Sequence, residues 1–215
     1  MRVRYLIKYT KESNIKFISH LDLMRTIQKV VRRAELPVKY SQGFNPHMAL
    51  SIAQPLGVGV YSSGEYMDLI LVEEMDVQEI IDRLNEKSAS GIKFVTATQI
   101  PPTEPNEKKM PQAMAMIDAC RYTIKINYTS VEGLEDEVKA LVEKNEWITL
   151  KKSKKAEKEV NIKEFIYEFK FWVKDEALVI NTVVKSGSRE HLSPDLVASY
   201  IKSNIPEIVE DAFVR

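Results

Sequence analysis

The sequence predicts an α+β fold of two tandem units, each an antiparallel sheet with helices on one face, and three observations carry that prediction. Apolar periodicity over residues 1–100 runs strand, helix, strand, strand, helix, strand. That order is the split βαβ, ferredoxin-like arrangement. The stretch Pro101-Pro102-Thr103-Glu104-Pro105-Asn106-Glu107 then breaks all periodicity, as a linker does. Beyond it a second series of strands and helices follows a variant of the same order, with no sequence identity that marks a duplication. The predicted organisation is a first unit over 1–100, a linker over 101–112 and a second unit over 113–215.

Each element has a local cause. Residues 2–9 alternate, as a half-buried strand does, and Ser19 to Ala34 has Leu21, Met24, Ile27, Val31 and Ala34 at helical spacing. Ser19 caps that helix with Asp22 three residues on, and Pro37 ends the segment. Met48 to Ala53 and Glu65 to Val72 read as two paired strands, with Ser62-Ser63-Gly64 as the turn between them. Asp76 to Lys87 is helical through Val77, Ile80, Ile81 and Leu84, and Ile92 to Ile100 alternates again. In the second half, 121–128 is a strand, 131–144 a helix, 147–150 a short strand, 166–173 and 178–184 a long hairpin, 193–203 a helix and 208–214 a final strand.

Composition excludes several classes of protein. A chain of 215 residues with 44% hydrophobic residues, 31 Lys/Arg against 31 Asp/Glu and only 7 Gly is neither disordered nor collagen-like. The opening MRVRYLIKYT is charged where a secretory leader is apolar, and no apolar run approaches the ~18 residues of a membrane span. The single cysteine, Cys120, offers no internal disulfide and no cysteine-based metal or iron–sulfur site. A cytoplasmic protein without a membrane association is the expectation.

The zero net charge hides an asymmetry. Residues 1–50 hold ten Lys/Arg and three Asp/Glu, a net +7 that the remaining residues cancel. A local field of this kind holds polyanions even on a neutral chain. Arg25, Lys29, Arg32 and Arg33 fall mainly off the apolar stripe of the first helix, and with Arg2, Arg4 and Lys39 they form a candidate phosphate-tracking surface. Tyr5, Phe17, Tyr40 and Phe44 are candidate platforms for unpaired bases; the competing expectation is that such aromatics pack the core. Two of the three histidines lie in this half. His20 sits in the first helical turn, and His47 closes the segment Gly43-Phe44-Asn45-Pro46-His47, whose Gly and Pro shape a surface loop. His20, Gly43, Phe44, Asn45 and His47 are therefore candidate specific contacts. Against that, His20 shares its helical phase with Met24, Ile27 and Val31, which suits a packed, hydrogen-bonded ring.

Other chemistries find less support. The histidines at 20, 47 and 191 lack metal-ligand spacing, and no P-loop or dinucleotide fingerprint occurs, so neither a metal nor a nucleotide cofactor is expected. His20 and His47 together are the candidate catalytic pair of a metal-independent ribonuclease, one ring taking the 2′-hydroxyl proton and the other protonating the leaving oxygen, provided both reach one phosphate. Two later segments join the candidates: the lysine run at 151–158 as a phosphate-contacting arm or a solvated hairpin, and Gly187-Ser188-Arg189 ahead of the Ser193-Pro194 helix start as an anion-binding turn.

The segments Phe17-Ile18-Ser19-His20-Leu21-Asp22-Leu23-Met24-Arg25, Arg32-Arg33-Ala34, Leu36-Pro37, Ser41-Gln42-Gly43-Phe44-Asn45-Pro46-His47, Pro55-Leu56-Gly57-Val58-Gly59 and Glu65-Tyr66-Met67-Asp68-Leu69 resemble the radical SAM-linked protein family. This is a bacterial domain of unknown function, fused to radical SAM proteins or encoded beside them. The chain lacks the three-cysteine cluster motif of those enzymes, so the resemblance implies the separate-chain form, which serves a radical SAM protein and does not itself perform its chemistry. The family's gene neighbourhoods, with ribosomal-protein and ribonuclease genes, imply RNA such as tRNA or rRNA as a further partner. The resulting expectation is a non-catalytic RNA-binding or substrate-presenting partner of a radical SAM enzyme. The alternatives are the ribonuclease and a purely protein-binding adaptor.

Overall fold

The computed structural model describes residues 2–103, 106, 108–152, 157–187, 190–206 and 208–214. It is a mixed α+β fold with antiparallel sheets and, among the described residues, four α-helices, divided into one unit over Met1–Ile117 and another over Asp118–Arg215. Among the described residues, no helix is long and apolar enough to cross a membrane.

In the first unit, β1 (Val3–Lys11), α1 (His20–Arg33), β2 (Leu50–Ile52), β3 (Ser62–Leu71), α2 (Val77–Glu86) and β4 (Ile92–Ile100) follow one another. The sheet order is β2-β3-β1-β4, with every pair antiparallel. Alternation explains how the sheet is covered. Val3, Tyr5, Ile7 and Tyr9 of β1 are buried with Leu23, Ile27, Val30 and Val31 of α1 and Ile80, Ile81 and Leu84 of α2, so both helices lie on one face. Each helix has a side-chain cap: the Asp22 N–H donates to Ser19 Oγ, and the Gln78 and Glu79 N–H groups donate to Asp76 Oδ1.

Three sequence expectations are corrected in this unit. Leu21 is 62% exposed, and Leu23 and Val30 are buried in its place, because the helix starts at His20 and the core direction falls between Leu23 and Val31. Ser62, Ser63 and Gly64 are not a turn but the first residues of β3, with Ser62 paired to Lys11; the chain reverses earlier, between Ala53 and Tyr61. The predicted strand at 48–53 contracts to three residues, with Met48 joined instead to Tyr40 as an isolated bridge.

The end of the predicted linker belongs to this unit as well. Asp68, buried on β3, accepts Arg4 Nε at 2.8 Å and the Ala113 N–H at 2.8 Å, while the Arg4 guanidinium also donates to the Met110 and Pro111 carbonyls. One ion pair thus holds residues 110–113 against the sheet, with each carboxylate oxygen satisfied.

Gly91 shows how closely the turn before β4 packs. Its φ is +92°, and an added Cβ would lie 2.7 Å from both Asn14 Oδ1 and Ile15 Cγ2. Gly91→Ala is expected to destabilise the chain by about 2 kcal/mol, from left-handed strain plus overlap. Denaturant midpoints check this, and an unchanged midpoint would contradict it.

In the second unit, β5 (Ala119–Tyr128), α3 (Leu134–Glu143), β6 (Ile148–Lys152), β7 (Glu157–Asn161), β8 (Ile166–Lys174), β9 (Ala177–Lys185), α4 (Pro194–Asn204) and β10 (Ile208–Val214) follow in order. The main sheet runs β10-β5-β9-β8, and β6 and β7 form a separate hairpin. With that hairpin set aside, the strand order by rank equals that of the first sheet. The sequence reading missed β7 and placed the start of α3 three residues early, where Gly133 at φ +74° precedes the helix. Trp147 anchors the core: it stacks on Tyr200 at 5.0 Å, meets Phe169 edge-on at 5.3 Å and donates its indole N–H to the Leu141 carbonyl.

Candidate nucleic-acid interface

The first turn of α1 is positioned by a buried lysine. Lys11 ends β1 in the inward phase and is 1% exposed, and its ammonium donates to the Lys16 and Ile18 carbonyls at 3.0 and 3.2 Å. The Gly59 N–H donates to the same Lys16 carbonyl at 2.9 Å. The segment 16–18 is thereby fixed over the strand end, and Phe17 between the anchored carbonyls is 69% exposed. Lys16 Nζ lies 5.0 Å from the Phe17 ring centre.

Around Lys11 sits a buried polar group of residues. Tyr9 faces Glu65 across the β1–β3 ladder, and both are buried. Burial pushes the Glu65 carboxyl up to about 7, against the opposing pull of a Ser62 hydrogen bond and the Lys11 charge. Burial lowers Lys11, with Glu65 acting the other way, and it raises the Tyr9 hydroxyl. His20 is half-buried and lowered, first by burial and then by the Lys11 charge. Its Nδ1 and the Tyr9 hydroxyl are buried without a hydrogen-bond partner. His20 is therefore packed, as its helical phase suggested, but not hydrogen-bonded at that nitrogen.

These shifts give a signed prediction. A carboxyl whose folded pKa lies above its ordinary 4.5 favours the fold while protonated, and that contribution is lost as pH rises from 4.5 through about 7. His20, lowered, acts in the opposite sense but is present in wild type and Glu65→Gln alike. The unfolding free energy of wild type minus that of Glu65→Gln is expected to fall by up to about 3 kcal/mol over this window. Parallel stability–pH curves for the two proteins would contradict it.

Outward from this anchor, α1 presents its basic face. Arg25, Lys29 and Arg32 are exposed and one or two turns apart on the side opposite the core. Arg25 donates to Asp22 Oδ1 at 3.2 Å, both side chains being largely exposed. That carboxyl is held low first by the Ser19 hydroxyl and then by Arg25. Lys29 and Arg32 have no ion pair among the described residues. Arg33 is exposed but donates to the Lys87 carbonyl at 2.9 Å, so part of its guanidinium closes the end of α2. Leu21, like Phe17, is an exposed apolar residue.

The loop candidates lie elsewhere in the unit. Gly43, at φ +122° with nothing near a would-be Cβ, turns the segment in which Phe44, Asn45 and His47 are all exposed. Phe44 is fully solvent-facing, and the Ser41 N–H bonds the His47 carbonyl. The Lys39 N–H bonds the Ile70 carbonyl, whereas His20 lies by Lys11, which pairs with Ser62 at the far end of β3. Eight residues of strand, roughly 25 Å, separate those two points, and no described contact joins His20 to His47. Tyr5 is a core residue, as the competing expectation had it: it is buried, with its hydroxyl bonded to both the N–H and the carbonyl of Met75. Tyr40 is 37% exposed.

In the second unit, Lys151 Nζ donates to the His191 carbonyl and the Ser186 hydroxyl lies 3.4 Å from His191 Nδ1. Burial, then the Lys151 charge, lowers that imidazole. Ser193 caps α4 with Pro194 at its start. The centre of the lysine run, 153–156, and the pair 188–189 lie outside the described residues. Among the described residues no three His, Cys, Asp or Glu side chains gather as a metal site.

Sequence reasoning missed Lys11 and Glu65, although a signal was present. Lys11 continues the inward alternation of Val3, Tyr5, Ile7 and Tyr9, and Glu65 precedes Met67, Leu69 and Leu71 in the same phase.

Comparison with family models gives a match over residues 4–194 to a family described as uncharacterized protein conserved in bacteria (DUF2344). Comparison with curated proteins gives no match. Among solved structures, an unknown protein from Galdieria sulphuraria aligns at 8% identity and TM-score 0.29, covering 100% of this chain and 97% of that one. A protein assigned as a glycine cleavage system transcriptional repressor aligns at 8% identity and TM-score 0.22, with the same coverage. At these scores neither likeness bears on fold or function.

Proposed function

The chain belongs to this uncharacterized family of proteins conserved in bacteria, and from that premise we propose that it is a non-catalytic RNA-binding protein that presents RNA to a separately encoded radical SAM enzyme. The observation that carries the RNA reading is the outer face of α1, where Arg25, Lys29 and Arg32 are exposed at helical spacing, with the exposed Phe17 ring in the segment that leads into the helix. Guanidinium and ammonium groups at helical spacing track phosphates, and an exposed ring stacks an unpaired base. The radical SAM partnership rests on the motif resemblance around Phe17–Arg25 and Ser41–His47. The same reading takes both units as ferredoxin-like, on their shared strand order.

The test is fluorescence anisotropy with pooled tRNA and rRNA fragments at several salt concentrations. Arg25→Gln/Arg32→Gln is expected to weaken binding by about tenfold or more and to reduce the salt slope by about 1.4, the value for two single-strand phosphate contacts. Equal affinity and slope for variant and wild type would sink the reading. No RNA affinity, together with copurification of the radical SAM protein, would leave a protein-binding adaptor.

A further inference from the structure

The end of the first sheet where Val3 pairs with Leu71 carries a groove that the α1 interface does not use. Its volume is ≈ 800 Å³, within the range of small-ligand clefts. Its polar wall is Arg2, Lys39, Tyr40, Ser41 and Gln42, and its apolar side is Val38, Pro46 and Val72. No carboxylate is among the lining residues, and neither cation has an ion pair among the described residues. Two unneutralised cations facing one groove select an anion.

The other lining residues narrow the class. The phenol ring of Tyr40 is 37% exposed beside Lys39, a planar surface for a base. Gln42 offers an amide that both donates and accepts, which suits a base edge, and the valines and proline suit the flat faces of base and sugar. The wall is also held in place: Val38 bridges to Leu71 and Tyr40 to Met48, the Lys39 N–H bonds the Ile70 carbonyl, and the Ser41 N–H bonds the His47 carbonyl. The backbone of this wall therefore needs no ordering on binding, which leaves the side chains of Arg2, Lys39 and Gln42 to be ordered.

We propose that this groove binds a nucleotide unit through its phosphate and base, with Arg2 and Lys39 on the phosphate and Tyr40 against the base. The unit is either a nucleotide of a bound RNA strand or a free mononucleotide. The first source rests on the RNA reading above, and the second does not.

The experiment is a titration of the full chain, followed by its backbone amide NMR signals, with adenosine 5′-monophosphate, adenosine and inorganic phosphate as separate probes. The monophosphate is expected to shift the amides of residues 39–42 and 72. Adenosine and phosphate should each bind at least about tenfold more weakly, and Arg2→Gln/Lys39→Gln should lose at least about tenfold while the core signals stay in place. No shift at these amides with millimolar monophosphate, or equal binding by the double variant, would overturn the proposal. A parallel anisotropy titration with short single-stranded RNA separates the two readings. RNA binding without monophosphate shifts overturns the groove alone. Monophosphate binding without RNA binding supports the groove as a free-nucleotide site and overturns the RNA reading.

Discussion

Trp147→Ala is expected to destabilise the second unit by about 3–5 kcal/mol, the largest effect of any single change considered. The indole is 1% exposed and joins three elements at once: its ring stacks on Tyr200 of α4 and meets Phe169 of β8, and its N–H satisfies the Leu141 carbonyl near the end of α3. Alanine removes the ring contacts, leaves a cavity and takes the indole N–H from the Leu141 carbonyl, which keeps only the Lys144 N–H at 3.3 Å. Trp147→Phe keeps much of the packing and loses the hydrogen bond, so about 1–3 kcal/mol is expected there. Denaturant unfolding followed through the amide signals of α3 and α4 separates the two. A Trp147→Ala protein as stable as Trp147→Phe would show that the ring contacts contribute little.

The second large effect is at Lys11. Lys11→Met is expected to destabilise the first unit by about 3 kcal/mol or more, because it leaves two carbonyls and the Glu65 carboxyl without their buried cation. Above about pH 7, where the Glu65 carboxyl would otherwise ionise, the expected order is wild type, then Lys11→Met/Glu65→Gln, then Lys11→Met, since the double change removes the uncompensated carboxyl as well as the ammonium. Lys11 also holds segment 16–18 in place, so the single variant should raise amide exchange at residues 16–19 before it affects β4. A single variant as stable and as protected as wild type would contradict this role.

The sequence made the elements legible wherever burial and period agree. Strands β1, β4, β5 and β9 and helix α2 fall where alternation or helical spacing placed them. The failures have physical causes. In α1, Leu21, Leu23 and Met24 lie in one turn, so apolar identity alone admits two phases, and packing against β1 and α2 chooses the one that exposes Leu21. Serine and glycine read as a turn at 62–64 because their local preferences favour one, yet pairing with Lys11 makes them strand. The β6–β7 hairpin has charge on both sides and so lacks the alternation that reveals half-buried strands. The basic residues of the candidate face could be named from their helical phase, whereas sequence reasoning missed the anchor in the strands although its phase points inward. Lys11 and Glu65 lie on neighbouring strands, paired with Ser62 and Tyr9, and their charge argues against the buried positions that their phase gives them.

The central claim, that RNA lies along the outer face of α1, is tested most directly by ultraviolet cross-linking of photoreactive-uridine RNA to the full chain, with the adducts located by mass spectrometry. Adducts on peptides spanning residues 16–33, with Phe17 among the modified residues and fewer of them in Arg25→Gln/Arg32→Gln, are the predicted result. Adducts confined to residues 118–215, or none on α1 while RNA is bound, would contradict it.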